Sequence, residues 1–201
     1  MSFSWIFIPV ASYIIGSIPF GLLIGKRMAG IDITQRGSGN IGATNIAREL
    51  GLRWGTVTLV LDLFKGFLAV SLSLLLFPAF ESGLPIVGLS ALLGHQFSIF
   101  RRFQGGKGVS TALGIYLAIA PVPAVLTIII FVVTVYVSDF VSLGSMISCA
   151  CMPILLLFSG ESRFLVIGSI IMAALIWFKH RDNIQRILRR EERKWRKQRI
   201  M

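Results

Sequence analysis

Val109-Ser110-Thr111-Ala112-Leu113-Gly114-Ile115-Tyr116-Leu117-Ala118-Ile119-Ala120-Pro121-Val122-Pro123-Ala124-Val125-Leu126-Thr127-Ile128-Ile129-Ile130-Phe131-Val132-Val133-Thr134-Val135-Tyr136-Val137 is a run of 29 mostly apolar residues without a charge. A helix needs only about 20 residues to cross the hydrocarbon core of a bilayer, so the run is too long for one crossing. Pro121 and Pro123 lie near a natural break, because proline lacks the N–H that a helix interior requires. The run therefore reads as two membrane helices in succession. That division fixes the parity of every segment after it.

The whole chain suits such a reading. Of its 201 residues 55% are hydrophobic and 14% charged, and the mean hydropathy is +0.80. These values lie outside the soluble range and make lipid the expected solvent. The length fits one transmembrane domain over residues 1–201. The net charge of +11 would suggest nucleic acid in a soluble protein. No base-reading motif accompanies it, so nucleic acid is not an expected partner and the charge is read by position instead.

Five further apolar segments complete the count. The first runs from about Phe3 to Ile24 and is expected to kink at Gly16-Ser17-Ile18-Pro19-Phe20-Gly21. It lacks a basic n-region and a cleavage site, so it is read as retained. The others are about Gly55–Phe77, Ile86–Phe100, Val141–Phe158 and Phe164–Phe178, with a polar turn at Pro78–Pro85. This gives an all-α integral membrane protein of seven transmembrane helices, N-terminus outside and C-terminus cytoplasmic, or five crossings if two short helices form a re-entrant pair. With alternation from an outside N-terminus, one face collects five basic residues between Lys26 and Arg53, three between Arg101 and Lys107, and ten from Lys179 onward. Arg163 falls outside and Lys65 within a helix. The positive-inside rule favours this arrangement, whereas a single crossing over 109–137 would separate the basic tail from the other two basic segments.

The tail from Arg181 to Met201 carries a net charge of +6, with Ile184, Ile187, Leu188 and Trp195 roughly on one helical face. It is expected to be a basic cytoplasmic tail (180–201) forming an amphipathic helix against anionic membrane lipid. Cys149 and Cys151 sit in an apolar run without metal-ligand neighbours and read as buried packing residues.

Chemistry is expected on the basic face. Arg36-Gly37-Ser38-Gly39-Asn40-Ile41-Gly42-Ala43-Thr44-Asn45-Ile46-Ala47-Arg48 combines glycines, amides and hydroxyls between two arginines. Such a backbone turns freely and can aim N–H groups at an anion, with a short helix expected from Asn45 to Leu50 and Gly51 as its cap. Its Gly-x-Gly-x-x-Gly spacing is not a dinucleotide fingerprint, because no βαβ unit surrounds it. Gly105-Gly106-Lys107-Gly108 followed by Val109-Ser110-Thr111 has the composition of a phosphate grip at a helix N-terminus, without the Walker A spacing. Ser142, Ser145, His180, Arg181 and Asn183 emerge on the same face. The combination suits phosphorylated ligands with a lipid-soluble part, such as an acyl or prenyl phosphate.

Asp62, Lys65 and His95 lie inside apolar segments, where ionisable residues are costly and merit a functional reading. Asp62 and Lys65 are three apart and able to neutralise each other; His95 reads as interfacial. No serine or cysteine has recognisable His and acid partners in sequence, and no His-x-x-x-x-Asp box follows His95 or His180. Nothing calls for a metal or another cofactor. A transporter of an anionic solute is the rival class, but no inverted repeat is visible.

Six segments together resemble the bacterial integral-membrane acyl-phosphate:glycerol-3-phosphate acyltransferase family over nearly the whole chain. They are Gly16-Ser17-Ile18-Pro19-Phe20-Gly21, Gly37 through Asn45, Asp62-x-x-Lys65-Gly66, Gly94-His95 with Phe103-x-Gly105-Gly106-Lys107-Gly108-Val109, Val141-Ser142-Leu143-x-Ser145, and His180-Arg181-x-Asn183-Ile184. Ser98 and Ser110 stand where the family usually has Pro and Ala, and the Arg190-Glu191-Glu192 ending also departs from its pattern. The resemblance implies acyl transfer from acyl phosphate to the 1-hydroxyl of sn-glycerol 3-phosphate, giving lysophosphatidic acid and phosphate, at the cytoplasmic face of the bacterial inner membrane. It also implies a functional link to the enzyme that makes acyl phosphate.

On that reading Ser38, Asn40, Thr44, Gly105, Gly106 and Lys107 surround the acyl phosphate, and Arg48, Lys107, His180 and Asn183 the glycerol 3-phosphate. Gly39, Asn45, His95, Ser142 and Ser145 complete the expected substrate contacts. Ser38, Lys107 and His180 are the candidates for positioning or proton transfer. The base stays open between His180, His95 and a substrate phosphate oxygen, and the abundance of positioning groups favours the last.

Overall fold

The structure is a computed structural model that describes residues 4–77 and 83–196. The expectations that fall on 1–3, 78–82 and 197–201 lie outside the described residues. Ten α-helices and no strand occur among the described residues, and the chain divides into two compact units, Met1–Ile119 and Ala120–Met201.

The first unit holds α1 (Ser4–Ser17), α2 (Phe20–Ala29), α3 (Ala43–Leu50), α4 (Leu52–Leu76), α5 (Leu84–Gln96) and α6 (Val109–Ile119). The expected kink is a full break: α1 ends at Ser17 and α2 resumes at Phe20 after Ile18-Pro19. A break inside a membrane segment frees carbonyls that lipid cannot satisfy. Here Ser98 Oγ donates to the Ser17 carbonyl at 2.5 Å, and Lys65 Nζ donates to the Ile18 carbonyl at 2.8 Å.

Two glycine pairs set the helix packing of this unit. A Cβ on Gly16 would strike the Ala91 carbonyl and one on Gly94 the Tyr13 carbonyl, so α1 and α5 touch backbone to backbone. Gly66 and Gly114 make the same reciprocal contact with the Thr111 and Leu63 carbonyls between α4 and α6. Small residues permit this approach, which supplies packing where apolar burial gives no drive between helices. Beneath the Arg36–Arg48 stretch, Ile24, Ile33, Ile41 and Ile46 form a core with Trp54, Val57 and Leu61 against it.

The second unit holds α7 (Pro121–Ser138), α8 (Val141–Phe158), α9 (Arg163–Lys179) and α10 (Arg181–Leu188). Gly144 lets α8 lie against Phe131 and Val135 of α7, and Trp177 Nε1 of α9 donates to the Met146 carbonyl at 3.0 Å. The helix break within 109–137 falls at Ala120, beside the expected prolines.

Among the described residues four helices suffice by length and composition to cross a membrane, counting Ile6–Ala29 as one, and five if α9 and α10, bent by 59°, are one span. The 13 residues of α5 and 11 of α6 are short, rising only about 20 and 16 Å at 1.5 Å per residue. The amphipathic tail needs correction: its helix stops at Leu188, and Trp195 is not on it. Arg190 takes a left-handed φ of 60°, and the chain folds back so that the Trp195 N–H donates to the Asp139 carbonyl at 2.9 Å. Backbone hydrogen bonds to the end of α7 thus replace the lipid-facing helix.

Candidate active site

The Arg36–Arg48 stretch of the first unit is organised by Asn45. Its Oδ1 accepts the Ser38 N–H at 3.0 Å, and its Nδ2 donates to the carbonyls of Arg36 at 3.1 Å and Asn40 at 2.9 Å. The residue is 3% exposed, so its amide serves the loop. Gly37 and Gly39 hold left-handed φ values of 58° and 69°, which side chains resist. Asn40 Oδ1 accepts the Gly42 N–H at 2.8 Å, an Asx turn leading into α3. The N–H groups of Ser38, Gly39 and Gly42 are all used within the loop. The expected fan of N–H donors is therefore reduced; the Ser38 hydroxyl is exposed, and Thr44 and Arg48 are half-buried. Thr44 and Arg48 stand one turn apart on α3 and share a face. Asp32 precedes this loop and accepts hydrogen bonds from the Thr34 hydroxyl (2.7 Å) and N–H (3.0 Å), which hold its carboxyl below the ordinary value.

The second glycine loop lies on the end of α5. The Gly106 N–H donates to the His95 carbonyl at 3.1 Å, and Gln96 Nε2 donates to the Lys107 carbonyl at 2.9 Å. A Cβ on Gly105 would meet the His95 carbonyl, and one on Gly106 would meet His95 Nε2. Only glycines let the backbone lie flat here. His95 itself is 4% exposed, with Nδ1 3.2 Å from Thr111 Oγ1 and 3.6 Å from Asp62 Oδ1. Gly94 draws α5 against α1, and the His95 ring, one residue from the end of α5, is enclosed by Asp62 of α4, Thr111 of α6 and the loop. Asp62 and Lys65 pair at 2.9 Å, both buried, as their spacing predicts.

The second unit has its own polar cluster. Glu192 accepts hydrogen bonds from Ser142 Oγ at 2.7 Å, Asn183 Nδ2 at 2.7 Å and Arg186 Nε at 2.8 Å. Burial raises the Glu192 carboxyl, but the bonds from Ser142, Arg186 and Asn183 outweigh it and leave the pKa below the ordinary value. His180 sits at the bend between α9 and α10, 2% exposed. Its Nδ1 lies 2.8 Å from the Ile176 carbonyl; a carbonyl only accepts, so Nδ1 carries a proton and donates it. Ser145 turns back to the Val141 carbonyl at 2.9 Å, away from this cluster.

The sequence reading missed Glu192 and Gln96. Glu192 looked like one charge of a basic tail; its only signal was an acid among arginines shortly after Asn183. Gln96 read as an ordinary residue of an apolar segment. Among the described residues no His, Cys, Asp and Glu gather in a metal-binding group.

Together these features describe a multi-pass helical membrane protein whose polar clusters gather at helix ends, the build of a membrane enzyme for anionic substrates. Known proteins narrow that class. The family model for glycerol-3-phosphate acyltransferase matches residues 6–190. A glycerol-3-phosphate acyltransferase of Desulfotalea psychrophila is 43% identical over 192 residues, covering 94% of this chain and 97% of the relative. One of Trichlorobacter lovleyi is 45% identical, covering 92% and 94%. Among solved structures, PlsY, an integral membrane glycerol 3-phosphate acyltransferase in its glycerol 3-phosphate form, matches with a TM-score of 0.91, 35% identity and 96% of both chains covered. Its lysophosphatidic acid form matches with a TM-score of 0.89 and 34% identity, over 96% of this chain and 95% of that one. The chain belongs to the glycerol-3-phosphate acyltransferase family, as an integral membrane acyltransferase of lipid biosynthesis.

Proposed function

We propose that residues 1–201 act as one acyltransferase domain that moves a fatty acyl group from acyl phosphate to the 1-hydroxyl of sn-glycerol 3-phosphate. The hydroxyl oxygen attacks the acyl carbonyl carbon, and the bond from that carbon to the phosphate oxygen breaks. Lysophosphatidic acid and inorganic phosphate leave. The observation that carries this reading is the Gly105–Gly106 backbone laid flat on His95, with Lys107 next in the chain. A flat glycine surface with a point charge suits a phosphate oxygen cluster. The resemblance to a relative solved with glycerol 3-phosphate supports it further.

Ser38, Gly39, Asn40, Thr44, Gly105, Gly106 and Lys107 take the acyl phosphate; Arg48, Lys107, His180 and Asn183 take glycerol 3-phosphate. Asn45, His95 and Ser142 hold these groups in place, and Ser145, turned back to the Val141 carbonyl, completes the proposed substrate contacts only by leaving that bond. Acyl phosphate is already activated, so no enzyme nucleophile is required. A substrate phosphate oxygen, with a second pKa of about 6, accepts the hydroxyl proton. His180 accepts a hydrogen bond at Nε2 and aligns the hydroxyl.

The site is assigned to the cytoplasmic face of the bacterial inner membrane, with seven crossings and the N-terminus outside. The tail's return to Asp139 supports the alternation of α7, α8 and α9, since it needs the start of α8 and the end of α9 on one side. The donor comes from an enzyme that makes acyl phosphate. The test is to incubate purified protein with palmitoyl phosphate and labelled glycerol 3-phosphate, then to locate the acyl group. The 1-acyl product is expected; no product, or acylation at the 2-hydroxyl, overturns the reading.

A further inference from the structure

A buried Asp–Lys pair that only neutralised itself would need no further partners, yet Asp62 and Lys65 each reach another element. Lys65 Nζ holds the Ile18 carbonyl freed by the break between α1 and α2, at 2.8 Å. Asp62 Oδ1 stands 2.9 Å from Lys65 Nζ and 3.6 Å from His95 Nδ1, and Thr111 Oγ1 reaches the same ring nitrogen at 3.2 Å. One edge of the imidazole is thus turned to α4 and α6. The opposite edge, Nε2, lies where a Cβ on Gly106 would fall. The His95 carbonyl takes the Gly106 N–H and Gln96 takes the Lys107 carbonyl, so the loop rests on this ring and its neighbour. Tilting the ring displaces Gly106, and Lys107 with it.

We infer that Asp62 is a positioning residue for acyl transfer: by turning His95 Nδ1 toward α4 it seats the ring beneath Gly106 and fixes Lys107 at the phosphate. Lys65 pairs with Asp62 at 2.9 Å and ties the same point to the α1–α2 break. The inference rests on the reading of Gly105–Lys107 as a phosphate loop. A displacement of about 1 Å in a positioning group lowers turnover about 10²-fold, so effects of that size are expected.

The test combines stability with a kinetic cycle on the full-length protein in detergent. Asp62→Asn alone leaves Lys65 buried without its carboxylate and lowers thermal stability, so Asp62→Asn/Lys65→Met is made beside it to remove both charges. The double variant is expected to regain the stability lost to an unpaired Lys65 charge, less the bond to the Ile18 carbonyl, while turnover stays about 10²-fold down. His95→Ala is expected to lose a similar factor, and Asp62→Asn/His95→Ala no more than either alone, because both act through one ring. Activity that returns with stability in the double variant overturns the inference, as do losses that multiply. Lys107→Ala is the control. If it abolishes turnover while Asp62→Asn/Lys65→Met matches the parent, only this inference fails. If Lys107→Ala keeps parent activity, the phosphate-loop reading fails as well.

Discussion

The Ser142 hydroxyl and the Glu192 carboxylate meet at 2.7 Å across fifty residues of chain. The bond joins the first turn of α8 to the segment after α10, and the same carboxylate collects Asn183 and Arg186. One acid therefore holds together the polar end of the second unit.

Glu192→Gln replaces an acceptor-only group by one whose NH2 faces other donors. It is expected to destabilise the protein by about 1.5–3 kcal/mol, the range for hydrogen bonds to a charged group. The pH dependence has a definite sign. Because the folded pKa lies below the ordinary 4.5, the stabilisation is complete above that value and is lost as pH falls through the folded pKa. Thermal unfolding in detergent should show parent and variant far apart at pH 7 and converging once the pH has fallen below the folded pKa. A gap that persists at low pH contradicts the assignment.

Asn45→Ala removes one acceptor and two donors from the Arg36–Asn40 turn. Two carbonyls and one N–H lose their partner, at about 1 kcal/mol each. Turnover should fall about 10²-fold or more, and trypsin should cut after Arg36 much faster than in the parent. Asn45→Asp keeps the acceptor for Ser38 but sets a carboxylate against two carbonyls, so it should rescue nothing. Parent-like trypsin resistance in either variant refutes the loop-clamp role.

His180→Ala separates alignment from proton transfer. With a substrate phosphate as base, KM for glycerol 3-phosphate should rise about 10-fold or more, while the pH dependence of kcat keeps its shape. Loss of the lower-pH limb of the kcat profile in the variant would instead make His180 the base.

Much of the fold could be read from residue type and spacing. Pro121 and Pro123 located the break between α6 and α7, and Asp62 and Lys65 form the ion pair that their i,i+3 spacing implies. The tail could not be read the same way. Its apolar residues keep a helical period through Trp195, but period alone does not reveal that a left-handed Arg190 and a backbone bond to Asp139 end the helix early. The site shows the same division. Loop membership of Ser38, Gly106 and Lys107 follows from composition, whereas the hubs do not: Asn45 and Glu192 act through partners up to fifty residues away. The enclosure of the His95 ring was not legible because the tight approach of α5 to α1 at Gly94 depends on a backbone contact that no sequence window contains.

In the proposed reaction acyl phosphate is the donor, and its phosphate leaves in the same step that acylates glycerol 3-phosphate. The most direct measurement gives the purified protein labelled glycerol 3-phosphate with palmitoyl phosphate, palmitoyl-CoA or palmitoyl-acyl carrier protein in parallel, and follows lysophosphatidic acid and inorganic phosphate together. Product is expected from palmitoyl phosphate alone, with one phosphate released per lysophosphatidic acid formed. Equal turnover with palmitoyl-CoA, or product without matching phosphate, would contradict the proposed reaction.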